Sequence, residues 1–286
     1  MSVDKTLTIK QCLDQAQQKL PNSQDTPSKL EAEILLAFVL EKPRSFLYTW
    51  PEQTVEAAQL ARFNELVERR SLGEPIAYIT GTREFWGLSL KVTPDTLIPR
   101  PETERLVEIA LSHIPVNEAW HVADLGTGSG AIALAIASER RNANVDASDI
   151  SESAISVARE NASKLALKNV HFHVGRWFVA FNSPQFNIII SNPPYVADQD
   201  PHLTQGDLRF EPMHALSSGV DGLNDIREII KTAKEHLLIG GWLLLEHGYD
   251  QGNAVIDLFE QSGYSEVQCF QDYGDHERAT IGRLAT

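Results

Sequence analysis

From about residue 119 onward, short apolar runs alternate with longer stretches whose apolar residues recur at helical spacing. The pattern predicts strands over 121–125, 144–148, 170–174, 186–191 and 242–246. Helices are expected over 131–138, 152–165, 223–237 and 251–261, and two last strands near 266–271 and 278–284. Such alternation has few solutions. Parallel neighbours need a helix-length return, so the sheet is covered by helices on both faces. Right-handed crossovers fix the winding. Ligands of these α/β sheets bind beyond the carboxyl ends of the strands, where the strand order reverses.

The first seventy residues read differently. Ile9, Leu13, Ala16 and Leu20 share one helical face, and Thr8 with Gln11 makes a capping box. Pro21-Asn22-Ser23 ends that helix. Thr26 is then expected as an N-cap with Pro27 at the first helical position, ahead of a stripe of Leu30, Ile34, Leu35 and Phe38. A third helix is expected from near Thr54, carrying Ala58, Phe63, Leu66 and Val67, and stopping before Gly73. Residues 1–73 therefore read as a small all-α helical bundle. Residues 74–96 read as a hairpin-like connector, with strands at 78–81 and 85–92. Residues 97–286 hold the α/β domain, entered through a proline-rich turn over 97–104 that runs into a helix.

Charge narrows the partners. Of the net −14, residues 1–72 carry about −1 and the rest about −13. A domain this acidic repels a phosphate backbone, and no Lys/Arg run supplies a local basic patch. No direct nucleic-acid partner is expected. No run approaches the roughly 18 apolar residues of a membrane helix, and the N-terminus lacks a signal-peptide core. Cys12 and Cys269 make no disulfide framework, and no Cys/His cluster has metal spacing. His171 and His173 share a strand face as a solvent-facing or packed pair. The expectation is a cytoplasmic protein, metal-free and monomeric, with no membrane partner.

Gly126, Thr127, Gly128, Ser129 and Gly130 follow the apolar strand ending in Asp124-Leu125 and open a helix. The glycines allow a tight turn and close approach of backbone to ligand, and the helix start offers free N–H groups. The pattern by itself fits two cofactors. With Ala131 it also meets a loose dinucleotide fingerprint. Asp149 ends the next strand, 25 residues after Asp124. A carboxylate there can accept bonds from vicinal ribose hydroxyls of either S-adenosylmethionine or NAD.

Asn192-Pro193-Pro194-Tyr195 follows the strand expected beside the glycine-loop strand. The two prolines stiffen the backbone and leave the Pro193 carbonyl without a neighbouring N–H. The Asn192 side-chain carbonyl adds a second acceptor. Two fixed acceptors can grip both hydrogens of one planar NH₂ group. An amide nitrogen is a poor nucleophile because its lone pair is delocalised. Acceptors outside its plane favour a pyramidal nitrogen, aim the lone pair at a methyl donor and stabilise the charge that builds there. Tyr195 can stack on the planar target. A dehydrogenase has no use for such a clamp, so the tetrad favours the methyl donor.

With these motifs in place the chain resembles the HemK/PrmC family, the peptide chain release factor N(5)-glutamine methyltransferases, over nearly its whole length. The likeness rests on residues 98–104 (Ile-Pro-Arg-Pro-Glu-Thr-Glu), Asp124 to Gly130, and Asn192 to Tyr195. It continues through 200–203, 209–212, 219–223, 245–248 and 272–278. The resemblance implies a class I S-adenosylmethionine-dependent methyltransferase: a Rossmann-like, mostly parallel seven-stranded sheet with an antiparallel last strand. It implies a bacterial class 1 release factor as substrate, methylated on the glutamine of its Gly-Gly-Gln loop, with S-adenosylhomocysteine as product. In that picture the glycine loop cradles the methionine part, Asp149 holds the ribose, and Trp177 sits by the adenine. Asn192 borders the cofactor and binds the glutamine amide with Pro193, Pro194 and Tyr195. The helical domain docks the release factor. One residue departs from the family's pattern: Arg176 stands where an acid is usual.

Several roles stay open on sequence alone. Arg100 and Glu102 could order a flap or form a surface ion pair. Glu211 could position substrate or cap local backbone. Glu246 and His247 end a strand facing the same crevice, and no catalytic role is assigned to them. The rival functions are a ribosomal-protein glutamine methyltransferase, a DNA adenine N(6)-methyltransferase acting on a flipped base, and a release-factor-binding module without activity.

Overall fold

A computed structural model describes residues 6–21, 27–181 and 185–285. The chain divides into two compact units, residues 1–81 and 82–286.

In the first unit, α1 (Ile9–Lys19) begins at Thr8, whose hydroxyl accepts from Gln11 N while the Gln11 side chain accepts from Thr8 N. Both halves of the capping box are formed, and Ile9, Cys12 and Ala16 point inward. Helix α2 (Ser28–Leu40) has Pro27 as its N-cap rather than its first helical residue. The expected cap Thr26 lies outside the described residues. Helix α3 (Arg44–Thr49), absent from the expected set, precedes α4 (Ala57–Ser71). The last element is α5 (Ile76–Thr80), where a strand was expected. Pro75 starts a short helix there, and Gly81 ends it in the left-handed region. The β-branched and aromatic residues are read by packing: Ala77, Tyr78 and Ile79 are buried. Inside the bundle, Arg70 forms a buried two-point ion pair with Glu31 across α4 and α2.

Thr8→Ala removes one cap bond and is expected to lower stability by about 1 kcal/mol. Urea denaturation of the full chain measures it, with Thr8→Ser as the variant that retains the cap.

The second unit opens with a hairpin, β1 (Thr82–Phe85) and β2 (Leu88–Lys91), turning at Trp86-Gly87, both with positive φ. Helix α6 (Thr103–His113) follows. The alternating part then runs β3 (His121–Leu125), α7 (Ala131–Glu139), β4 (Asn144–Asp149), α8 (Glu152–Lys164), β5 (Val170–Val174) and β6 (Phe186–Ser191). It ends with α9 (Asn224–Ala233), β7 (Leu237–Glu246), α10 (Gly252–Gln261), β8 (Tyr264–Gln271) and β9 (Glu277–Leu284). The sheet order is β5-β4-β3-β6-β7-β9-β8, parallel through β7, with β9 antiparallel to both its neighbours. This is the expected seven-stranded α/β sheet with an antiparallel last strand.

The central strands are buried on both faces, which explains their continuous apolar runs. Ile188, Ile190 and Leu244 pack with α6 and α7 on one side. Ile189, Leu243 and Leu245 pack with α9 and α10 on the other. Helix α9 ends at Ala233, four residues before the expected end, because Leu237 already belongs to β7. No helix among the described residues is long and apolar enough to cross a membrane. The strand order reverses between β3 and β6, so the loops after both strands open on one crevice.

Candidate functional site

The glycine loop leaves β3 and turns back under β4. Gly126 N and Thr127 N both donate to the Ser148 carbonyl, and Gly128 N donates to Asp149 Oδ2 at 2.9 Å. Gly126, Gly128 and Gly130 all have positive φ. At Gly126 the requirement is also spatial, since a Cβ would stand 3.1 Å from the Trp177 ring. Asp124 sits beneath the loop, 1 % exposed, and accepts from the Thr127 hydroxyl and Ala133 N. Burial pushes its carboxyl up to about 7 against those bonds, and Oδ1 has no partner among the described residues. Thr127 and Ser129 are themselves buried, and Asn161 on α8 donates to the Ser129 carbonyl. These residues shape the loop from below.

A cleft of about 750 Å³, open mouth included, lies over this loop. Gly126, Gly128, Asp149, Trp177, Asn192 and Pro194 line it, bringing together six of the expected site residues. Thr127, Ser129, Gly130, Pro193 and Tyr195 are not among its lining residues. Asp149 accepts from Gly128 N through one oxygen and from Ser151 N through the other, which holds the carboxylate at the rim with lone pairs to spare.

Trp177 opens a short 3-10 turn in the left-handed region, φ +46°, and its buried Nε1 has no partner among the described residues. An unpartnered buried donor in a cleft wall fits a ligand with an acceptor there. Arg176 leans over the Trp177 ring, 5.4 Å from its centroid, and pairs with Asp225 and Glu228 of α9, each at 2.7 Å. Where the family pattern would put an acid, this chain holds a base turned toward α9. A carboxylate nevertheless reaches the cleft wall, that of Asp225, which also accepts from the Ser218 hydroxyl at 2.6 Å. Other wall residues outside the expected set are Asp95, Thr96 and Leu97, which precede α6, together with Ile150, Gly175, His214 and Ala215. Of these only Ile150 had a sequence signal, an apolar residue directly after the strand-end Asp149.

The tetrad follows β6. Asn192 Nδ2 donates to the Thr103 hydroxyl at 3.1 Å. Among the described residues nothing donates to Asn192 Oδ1 or to the Pro193 carbonyl. The Tyr195 carbonyl accepts from Gln251 Nε2 at 3.0 Å, and its hydroxyl donates to Glu246 Oε1 at 3.3 Å. Burial raises the Tyr195 pKa, and the neighbouring Glu246 charge adds to it, so the phenol stays protonated. Gly222 passes so close that a Cβ there would lie 2.2 Å from the Tyr195 carbonyl oxygen.

The remaining expected contacts are structural. Glu211 accepts from Ile98 N and pairs with Arg100, tying residues 98–100 to the segment after the tetrad. His247 is fully buried between Thr280 and the Gly248 carbonyl, and desolvation lowers its pKa. His173 bonds Asp146, as does His121, while His171 is exposed.

Residues 11–81 match the family model of the PrmC N-terminal domain, and residues 105–208 match that of the methyltransferase small domain. A release factor glutamine methyltransferase of Aliivibrio fischeri is 49% identical over 279 residues, covering 97% of this chain and 98% of that protein. One from Escherichia coli K12 is 49% identical, covering 88% and 91%. Among solved structures, a methyltransferase from Pyrococcus furiosus superposes with a TM-score of 0.54 at 19% identity, over 77% of this chain and 98% of that one, a likeness of fold. By its full-length similarity to these relatives, the chain belongs to the release factor glutamine methyltransferase family.

Proposed function

We propose that this chain transfers a methyl group from S-adenosylmethionine to the side-chain amide nitrogen of the glutamine in the Gly-Gly-Gln loop of bacterial class 1 peptide chain release factors. The observation that carries the reading is the pair of unengaged acceptors at residues 192 and 193, beside a cleft floored by the glycine loop and edged by Asp149. The names and full-length similarity of the relatives support the substrate.

The residues fit the cofactor. Asp149 offers carboxylate lone pairs to vicinal hydroxyls, Trp177 offers a flat face and an unpartnered N–H, and the glycine backbone admits close approach. When bound, the sulfonium supplies an electrophilic methyl group, and S-adenosylhomocysteine is left. Asn192 Oδ1 and the Pro193 carbonyl hold the two hydrogens of the glutamine NH₂ and aim its lone pair into the cleft. They also stabilise the positive charge that builds on nitrogen before one N–H proton is lost to solvent. Pro194 lines the wall beside the amide. Tyr195, fixed at both its carbonyl and its hydroxyl, anchors the far end of the tetrad.

The test is mass spectrometry of release factor peptides after incubation with this chain and methyl-labelled cofactor. One added methyl on the Gly-Gly-Gln peptide is expected. Label confined to a ribosomal protein, or to duplex DNA, would overturn the substrate.

A further inference from the structure

The geometry points to Asp225 as the residue that reads the base of the cofactor: its carboxylate accepts a hydrogen from the exocyclic amino group of the adenine. The inference deepens the proposed function and rests on its cofactor, not on its release factor substrate.

Strand order fixes where the base must lie. Taken across the sheet as β6, β3, β4 and β5, the strand ends lead into Asn192, the glycine loop, Asp149 and Gly175-Arg176-Trp177. Neighbouring strands stand about 4.8 Å apart, so the segment after β5 begins about 14 Å across the sheet from Asn192. A cofactor with its methyl group at Asn192 and its ribose at Asp149 has covered two of those three steps. Its base falls on the third, over the segment that follows β5. Ile150, Trp177 and Asp225 line the cleft together with that segment. An apolar side chain and a flat indole suit a flat heterocycle.

Flat surfaces hold any base. Telling adenine from its 6-oxo counterpart takes an acceptor for the amino N–H, which the oxo base cannot satisfy. Arg176 only donates. The lining holds three carboxylates, those of Asp95, Asp149 and Asp225. Asp149 serves the ribose, and Asp95 is exposed in the segment before α6. Asp225 is 8 % exposed and is bonded directly to the segment after β5, through Arg176.

The Asp225 carboxylate is held in one setting. Oδ1 pairs with Arg176 at 2.7 Å, and Oδ2 accepts from the buried Ser218 hydroxyl at 2.6 Å. That hydroxyl oxygen in turn accepts from Asp225 N at 2.8 Å. Glu228, one turn further along α9, holds the same guanidinium at 2.7 Å. Each carboxylate oxygen has two lone pairs, so one on each is left open among the described residues. An acceptor preset in this way loses little freedom on binding. Trp177 Nε1, the unpartnered donor in the same wall, is the complement for a ring nitrogen of the base. Capping of α9 accounts for the bond to Ser218, but not for the place in the cleft wall or the ion pair to the segment after β5.

The experiment is calorimetric titration of the full chain with S-adenosylhomocysteine and with S-inosylhomocysteine, in which an oxygen replaces the amino group. Wild type should bind the adenine compound about 10–100-fold more tightly, the worth of one hydrogen bond to a charged acceptor. Asp225→Asn keeps the shape and can present either an oxygen or an NH₂, so the ratio should fall to within about threefold. Asp225→Ala should flatten the ratio as well, and it decides if Asp225→Asn does not fold. A ratio near one in wild type, or a ratio that survives in both variants, would overturn the assignment. Equal weakening of both ligands would overturn it too, since that marks a residue that only shapes α9. So would a ratio lost in Asp95→Asn and kept in Asp225→Asn. Wild type that binds neither compound would remove the cofactor reading itself, and this inference with it.

Discussion

Asn192→Ala is expected to lower kcat by about 10²–10³-fold while changing cofactor Kd only a few-fold. The magnitude follows from deleting one of two fixed acceptors that strengthen as charge develops on the glutamine nitrogen. The Pro193 carbonyl remains but cannot alone hold both hydrogens or set the pyramidal geometry. Single-turnover methylation of release factor, with cofactor affinity measured by calorimetry, separates the two quantities. A kcat within a few-fold of wild type would mean the amide is held elsewhere. Asn192→Asp is a sharper companion, since it keeps an oxygen acceptor but cannot donate to Thr103 when ionised.

Asp149→Ala should do the reverse, weakening cofactor binding on the order of 100-fold, the loss of charged acceptors worth about 1.5–3 kcal/mol each, with a smaller effect on the saturated chemical step. Two causes act together. The ribose loses its carboxylate, and the glycine loop loses the bond that fixes Gly128 N. Asp149→Asn should lose less, because an amide oxygen still accepts. Calorimetric titration with S-adenosylhomocysteine reads the affinity without turnover. Unchanged affinity in Asp149→Ala would remove Asp149 from the binding role.

The parallel sheet was legible because its strands obey one rule. Phe186–Ser191 and His121–Leu125 are bounded by polar residues and buried on both faces, so a short apolar run marks each end of the strand. Strand β7 was read only from Trp242, because Gly240 and Gly241 break the pattern where the register against β6 shifts. The residues over 76–80 misled for another reason. Tyr, Ile and Thr favour a pleated surface locally, yet Pro75 and burial in the helical bundle decide the outcome. At the site, the glycine loop, Asp149 and Asn192 could be found because each sits at a strand end and carries a local motif. Asp225 and Thr103 could not. Each lies in the first turn of a helix and reaches the site only through tertiary folding; Thr103 falls inside the 98–104 run, but nothing in that run marks it as the partner of Asn192. Glu246 was visible as a strand-end carboxylate, but its bond from the Tyr195 hydroxyl joins segments 51 residues apart in sequence.

The missing side chain at 222 is a mechanical constraint on what this clamp can be made to accept. Gly222 has φ +74° and presses its backbone against the residue that closes the tetrad. Even a methyl there would collide with main chain rather than with a pliable side chain, and would shove the acceptor pair out of alignment. Efforts to widen the mouth for bulkier amines must therefore leave this position alone. Room has to be found elsewhere on the lining, where His214 and Ala215 also border the cleft.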